Sequence, residues 1–265
     1  MTASRLGRVA LFLAASALLA LLAGPLLALA LTSGPAELLA GLRHPLVWPA
    51  LRISLLTTTC CLAAVVLLGT PLAWLLARRS SRWSRAIETI AQLPVVVPPA
   101  VAGVAMLLAF GRRGLLGDAL DRMGLRIAFT PAAVVLAQIF VAAPFFLQAA
   151  TVSFRGLDER LLLVARTLGA RPARSFFRIA LPLSAPGLVA GAAMAWARAL
   201  GEFGATLMFA GNLSGRTQTL PLAIYSALED DLRAARALSL LLVAVALALL
   251  LGVRRAALPI LPGRP

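Results

Sequence analysis

Long apolar runs constrain this chain more than any other feature of its sequence. They are separated by short stretches that carry arginine, and they lie approximately at residues 7–31, 53–77, 90–110, 129–150, 183–209 and 237–253. Each run is close to the roughly 20 residues that an α-helix needs to cross a 30 Å hydrocarbon layer. The sequence therefore predicts an all-α, polytopic membrane protein with about six transmembrane helices, which form a single transmembrane domain over residues 1–265.

The composition excludes a soluble domain. Hydrophobic residues make up 61% of the chain and charged residues only 13%, whereas a soluble domain has about 45–50% apolar and about 25% charged residues. The first run is also longer than the apolar core of a signal peptide. We therefore expect residues 7–31 to be a retained helix in the lipid bilayer.

The distribution of arginine predicts the orientation of the spans. All 25 basic residues are arginine, and the net charge is +15. Fifteen lie at the two termini and in the loops after the second and fourth runs, nine lie on the opposite side, and Arg198 lies within the fifth run. Positively charged loops stay in the cytoplasm, so both termini and the loop at 153–182 are predicted to be cytoplasmic. Because these arginines do not cluster on one soluble face, the sequence does not indicate a nucleic acid partner.

The loop at 153–182 has the pattern of two short helices joined by a glycine turn. Asp158 is placed to cap the first helix, and Gly169 is placed to end it. Pro172 suits the first turn of the second helix. The apolar side chains of the first helix share one face, namely Leu157, Leu161, Val164, Ala165 and Leu168. This segment is predicted to lie along the cytoplasmic face of the membrane.

The spacing of this loop resembles the cytoplasmic signature of ABC importer permeases. Gly169 is followed after nine residues by Ile179-Ala180-Leu181-Pro182, with Ala165 also in register, although Leu163 and Val164 replace the Glu and Ala that open the signature. The resemblance implies the type I ABC importer permease fold and a helix that docks on a cytoplasmic ATPase. The residues implied in ATPase coupling are Asp158, Leu161, Val164, Ala165, Arg166, Leu168, Gly169, Ile179, Leu181 and Pro182.

Four further segments are similar to the molybdate and tungstate permeases of this class. They lie at 93–103, 109–114, 198–206 and 211–225, within a resemblance that extends from about Leu51 to Ala235. Phe203-Gly204-Ala205-Thr206 favours this branch over the related sulfate permeases. The implied cargo is an oxyanion, molybdate or tungstate, with a sulfate or thiosulfate permease as the alternative.

The resemblance also implies a set of partners and a chain without catalysis of its own. The implied partners are a second copy of the chain, two cytoplasmic ABC ATPase subunits and an extracytoplasmic oxyanion-binding protein. The sequence has no nucleotide-binding loop or catalytic constellation, so ATP and Mg²⁺ are expected on the ATPase and no cofactor on this chain. No metal site is expected, since Cys60 and Cys61 are adjacent in an apolar run and His44 is the single histidine. An ion-coupled secondary transporter and a membrane enzyme are the alternatives from other classes.

Charged residues and prolines within the runs mark a candidate pathway or gate. Arg198 and Glu202 lie four residues apart, on one helical face, where they can pair. The third run contains three prolines, each of which removes an amide donor and distorts the helix. The candidate residues are Pro94, Pro98, Pro99, Arg198, Glu202, Phe203 and Thr206. The alternatives are a structural bridge made by the ion pair and a helix that is kinked only for packing.

Overall fold

The computed structural model describes residues 5–32, 34–79 and 81–257. These residues are predominantly helical and contain no strand. The helices are α1 Arg5–Leu31, α2 Pro35–Leu42, α3 Val47–Arg78, α4 Arg82–Val96, α5 Pro99–Phe110, α6 Gly117–Arg122, α7 Pro131–Arg155, α8 Glu159–Thr167, α9 Pro172–Ser175, α10 Leu181–Leu200, α11 Gly204–Ala210, α12 Leu220–Asp230 and α13 Leu232–Ala257. A π-helical turn, Phe176–Ala180, joins α9 to α10.

Five helical segments within the described residues are long and apolar enough to cross a membrane: Gly7–Leu31, Val47–Arg78, Pro131–Arg155, Pro172–Leu200 and Leu232–Val253. The pair α4 and α5 meets the same criterion only as a unit and is bent by 116° at its break. Counting that pair as one span gives six, so the prediction of an all-α protein with about six spans is confirmed.

Helix α7 lies at the centre of the bundle, where it packs along α3 and α10. Its buried face consists mainly of alanine, valine and phenylalanine, including Ala142, Phe146 and Ala150. Small side chains let neighbouring helix backbones approach closely in lipid. At one end of the bundle the ring of Trp74 lies 5.3 Å from that of Phe154 and 5.2 Å from that of Phe176. These edge-on contacts connect α3, α7 and the π-helical turn.

The two ends of the bundle are defined by the direction of α7. At the coupling end, α3 and α7 end and α8 begins. At the far end, α7 begins beside the end of α11, and the Phe129 amide donates to the Phe209 carbonyl at 3.3 Å. From Val9 to Leu31 the large apolar side chains of α1 are almost all exposed, as expected for a helix that lipid surrounds.

The predicted third span, 90–110, is corrected to a broken segment. Val97 and Pro98 have extended ψ angles of 127° and 135°, and α5 starts again at Pro99. Pro98 and Pro99 lack an amide hydrogen, and each disfavours helix at the residue before it. Helix α4 starts at Arg82, ahead of the predicted limit at residue 90. The prediction missed its first turns because they are polar and do not belong to an apolar run.

The predicted fifth span, 183–209, is also divided. The helix that begins at Pro172 continues through the π-helical turn to Leu200, so Leu181 and Pro182 lie inside one long helix. The chain then breaks at 201–203, and α11 follows. Pro182 falls in the first turn of α10, at the π-to-α junction, where its missing amide hydrogen is tolerated. Helix α12 was not predicted, because its 11 residues are too few to form one of the spanning apolar runs.

Candidate coupling segment and broken-helix site

Two ion pairs hold the coupling segment to the end of the bundle. Arg155 Nη2 lies 2.8 Å from Glu88 Oε2 and connects α7 to α4. Arg78 Nη1 lies 3.4 Å from Glu159 Oε1 and connects α3 to α8, while the Arg78 guanidinium stacks 4.5 Å above the ring of Trp74. Exposed ion pairs contribute little free energy. The Arg78–Glu159 pair positions α8, and the Arg155–Glu88 pair positions α4 against α7.

Helix α8 has the two ends that its sequence predicts. The Arg160 amide donates to Asp158 Oδ1 at 2.9 Å, which satisfies one of the free amides at the helix start. Gly169 has a φ of +79°, a left-handed conformation that glycine adopts without strain. The Ala170 amide then donates back to the Ala165 carbonyl at 2.9 Å, which closes the helix. The part of these residues in ATPase coupling stays a prediction.

The apolar residues of α8 divide between two faces. Ala165 is buried together with Leu162, which the sequence reasoning did not single out. Leu161, Val164 and Leu168 point outward, with Leu168 82% exposed. An exposed apolar patch marks a surface that contacts another protein or lipid. Arg166 lines a cavity between α8 and the ends of α3 and α9, whereas Ile179, Leu181 and Pro182 lie in the long helix that continues into α10.

The breaks in the third and fifth predicted spans lie together. Helices α5 and α11 pack against each other so closely that a Cβ atom on Gly103 would lie 2.7 Å from the Ala205 carbonyl oxygen. At the start of the two helices, a Cβ on Gly204 would lie 3.0 Å from the Cβ of Pro99. The structure therefore brings Pro98 and Pro99 next to the segment at 203–206. Pro94 lies within α4, ahead of the break.

Glu202 bridges the break between α10 and α11. Its Oε2 atom lies 2.9 Å from Arg198 Nη1 in the last turn of α10, and its Oε1 atom accepts a hydrogen bond from the Ala205 amide at 2.8 Å. The carboxylate thus neutralises a neighbouring charge and caps the start of α11. Glu202 is 1% exposed, so this conformation favours the structural bridge over direct contact with a cargo.

Two further candidates lie beside that bridge. Thr206 is fully buried, and its hydroxyl has no hydrogen-bond partner among the described residues. The ring of Phe203 packs against that of Tyr225 at 5.4 Å, which links the break to α12. The gate function of these residues stays a prediction.

The segment at 211–219 is a hydrogen-bonded loop. The sequence indicated this segment only by its resemblance to the permeases, not by its hydrogen bonds. Gln218 Nε2 donates to Asn212 Oδ1 at 2.9 Å, and Asn212 Nδ2 donates to Ser226 Oγ of α12 at 2.8 Å. Thr217 Oγ1 accepts from the Leu213 amide at 3.0 Å. The density of Gly, Asn, Ser, Thr and Gln between two apolar stretches was the available signal, because such residues inside an apolar bundle must find partners.

Gln138 was also missed. It lies on α7, is 1% exposed, and its Oε1 atom has no partner among the described residues. An amide side chain within an otherwise apolar run was the signal, since a polar residue in a span marks a bundle interior or a cavity.

Comparison with known proteins identifies the class of this molecule. The family described as binding-protein-dependent transport system inner membrane component matches residues 69–258. The chain belongs to this family. The permease is 46% identical over 242 residues to the molybdenum transport system permease protein ModB of Mycobacterium tuberculosis (strain ATCC 25618 / H37Rv), covering 91% of this chain and 92% of that protein. It is 37% identical over 204 residues to ModB of Escherichia coli (strain K12), covering 77% and 89% of the two chains.

Solved structures show the fold. The permease resembles a chain of a bacterial ABC transporter involved in the import of the acidic polysaccharide alginate, with a TM-score of 0.76, 17% identity and 96% of each chain covered. It also resembles a chain of the MetNI methionine ABC transporter in an inward-facing conformation, with a TM-score of 0.66, 18% identity and 82% and 97% of the chains covered. The molecule therefore has the fold of the ABC importer permeases and is a multi-pass inner membrane protein.

Proposed function

We propose that this permease forms the membrane path through which an ATP-driven importer moves molybdate, or the related tungstate, into the cytoplasm. The observation that carries the proposal is the 46% identity over 91% of the chain to a molybdenum transport system permease. The same comparison favours molybdate over the alternatives of sulfate and thiosulfate.

The partners follow from the class and from the surface of α8. We propose a homodimer that assembles with two cytoplasmic ABC ATPase subunits and one extracytoplasmic oxyanion-binding protein, with ATP and Mg²⁺ bound by the ATPase. The exposed patch of Leu161, Val164 and Leu168 is suited to an apolar groove on the ATPase. The excess of arginine on the side of α8 supports a cytoplasmic location for that helix and for both termini.

The proposed mechanism is alternating access. Closure of the ATPase dimer on ATP moves α8, and the bundle changes from an inward-facing to an outward-facing state. The binding protein then releases its oxyanion into the path, and hydrolysis resets the transporter. The permease itself has no catalytic role in this cycle.

The test is reconstitution of the permease with an ATPase and an oxyanion-binding protein in proteoliposomes. We expect uptake of labelled molybdate that requires ATP inside the vesicle and the binding protein outside it. Tungstate should compete, and sulfate in tenfold excess should not. Uptake that continues without ATP but stops with a proton or sodium ionophore would instead identify a secondary transporter.

A further inference from the structure

A basic groove opens at the far end of the bundle, away from α8. It is an open cleft of about 520 Å³ between the first turns of α3, the start of α7 at Pro131 and the loop at 215–216. Its lining includes two arginines, Arg52 and Arg216, and no acidic residue. In a cavity with this lining the local charge is +2, which favours an anion.

The two guanidinium groups come from distant parts of the sequence. Arg52 lies on α3, and Arg216 lies in the loop that precedes α12. Four ion pairs connect described residues, and neither arginine belongs to them. A guanidinium presents several donors in a planar fork that suits the oxygens of phosphate and similar anions. Both side chains therefore retain their capacity to bind an oxyanion.

The backbone that carries Arg216 is held by several hydrogen bonds within its own loop. Gly215 has a φ of +73° and turns the chain immediately before Arg216. The amides of Arg216, Thr217 and Gln218 all donate to the Leu213 carbonyl, at 2.9–3.1 Å. Thr217 and Gln218 are themselves buried. The loop is thus fixed by its own polar side chains before any ligand arrives.

One hydrogen bond ties this loop to the helix that carries Arg52. The amide of Leu220, the first residue of α12, donates to Ser54 Oγ on α3 at 2.7 Å. Ser54 is two residues from Arg52, so α3 and the loop form one frame for both arginines. The groove also contains Thr57, one turn further into the bundle. Because α3 and the loop are already ordered without a ligand, binding of an anion costs less conformational entropy.

We propose that this groove is a binding site for a tetrahedral oxyanion, with Arg52 and Arg216 as its ligands. A free oxyanion such as molybdate and the phosphate group of a phospholipid both present this chemistry. Trp48 also lines the groove, and tryptophan favours the depth of lipid headgroups. The role of the groove as a station for the cargo rests on the proposed function, whereas oxyanion binding by itself does not.

The test uses the full-length permease in micelles of a maltoside detergent, which carries no phosphate group, without a binding protein. Binding of labelled molybdate, sulfate and inorganic phosphate is measured at low ionic strength for wild type, Arg52→Gln, Arg216→Gln and the double variant. We expect each single variant to weaken binding by about tenfold, the effect of losing one charge-assisted hydrogen bond. Arg113→Gln is the matched control, because Arg113 is an exposed arginine beside α5 that does not line the groove.

A second measurement separates the two sources of the ligand. Native mass spectrometry of the permease, purified from a membrane that contains anionic phospholipid, reports lipid that remains bound. Loss of retained lipid in both groove variants, but not in Arg113→Gln, identifies the headgroup as the ligand. Loss of molybdate binding in the same variants identifies the free anion.

Two results would overturn the proposal. One is wild-type binding of neither anion nor lipid, and the other is binding that is equal in wild type and in the double variant. Either result would reject the oxyanion site without testing the proposed transport of molybdate. Binding of sulfate or phosphate, without molybdate uptake, would leave the site in place and reject the cargo.

Discussion

Replacement of Glu202 by glutamine is the sharpest test of the bridge between α10 and α11. In the wild type, Oε1 accepts from the Ala205 amide at 2.8 Å and Oε2 lies 2.9 Å from Arg198 Nη1. Glutamine keeps a carbonyl oxygen for Ala205 but replaces the anionic oxygen with an amide nitrogen. The change therefore removes the ion pair and leaves the helix cap in place.

The expected loss follows from the burial of the two partners. The Arg198–Glu202 contact is an ion pair without hydrogen-bond geometry at Glu202 Oε2, and removing one partner of a fully buried ion pair costs about 3–5 kcal/mol. Glu202 is 1% exposed, but the Arg198 side chain is 29% exposed, so water can partly stabilise its charge after the pair is lost. We expect Glu202→Gln to lower the free energy of unfolding by about 1–3 kcal/mol. Glu202→Ala also removes the cap and should cost about 3–5 kcal/mol.

The measurement is unfolding of the purified permease in mixed micelles, with a double-mutant cycle on Glu202→Gln and Arg198→Gln. We expect a coupling energy of about 1–3 kcal/mol between the two positions. Asp121→Asn and Arg126→Gln form the matched control, because that pair is also a single carboxylate–guanidinium contact but is far more exposed, and its coupling should be about 0–1 kcal/mol. A Glu202 cycle with no more coupling than this control would refute the reasoning.

The same variant tests the predicted gate. We expect Glu202→Gln to assemble with its partners and to transport more slowly, because the break it bridges lies against α5. Normal uptake rates in a variant that is measurably destabilised would show that the bridge has no part in gating.

Three other predictions concern packing, docking and capping. Gly103→Ala should destabilise the fold by about 1–3 kcal/mol in the same unfolding assay, because its Cβ would meet the Ala205 carbonyl; Gly252→Ala, which has open space around it, should not. Val164→Asp should reduce co-purification of the ATPase at least tenfold without loss of stability, whereas Leu115→Asp, exposed at the other end, should leave it unchanged. Ser54→Ala should cost about 1–3 kcal/mol by leaving the Leu220 amide without an acceptor, and unchanged unfolding would contradict that account.

Much of the fold could be predicted from the sequence because lipid imposes simple rules. The apolar runs at 7–31, 53–77, 129–150 and 237–253 each correspond to one helix long enough to span the bilayer. Local capping was equally accessible, since Asp158 and Gly169 act within a few residues of their own positions. These features depend on chain-local chemistry, and the structure places them where the pattern indicated.

The prolines of the third run predicted a distorted helix there, whereas the break after Leu200 and the inward-facing residues of α8 depend on tertiary contacts and were missed. The spacing of Arg198 and Glu202 suggests one continuous helix, but the Glu202 carboxylate caps a new helix at Ala205 instead. Helix α12 begins where Ser54, far away in the sequence, accepts its first amide. In α8 the periodicity gave one apolar face, but it could not show that Ala165 turns inward while Val164 stays exposed.

The long helix from Pro172 to Leu200 connects the two candidate sites. It spans 29 residues, about 43 Å at 1.5 Å per residue, and runs from the segment after α8 to the turn that carries Arg198. The π-helical turn at Phe176–Ala180 lies near its start, and such turns are frequent at functional sites. If α8 docks on an ATPase as proposed, a displacement of α8 moves the start of this helix, which lies ahead of the contact between Phe176 and Trp74. Because the Arg198–Glu202 bridge joins the other end of the helix to α11, and α11 packs on α5, the displacement reaches both broken spans together. Movement of this one helix would then change both breaks of the proposed gate.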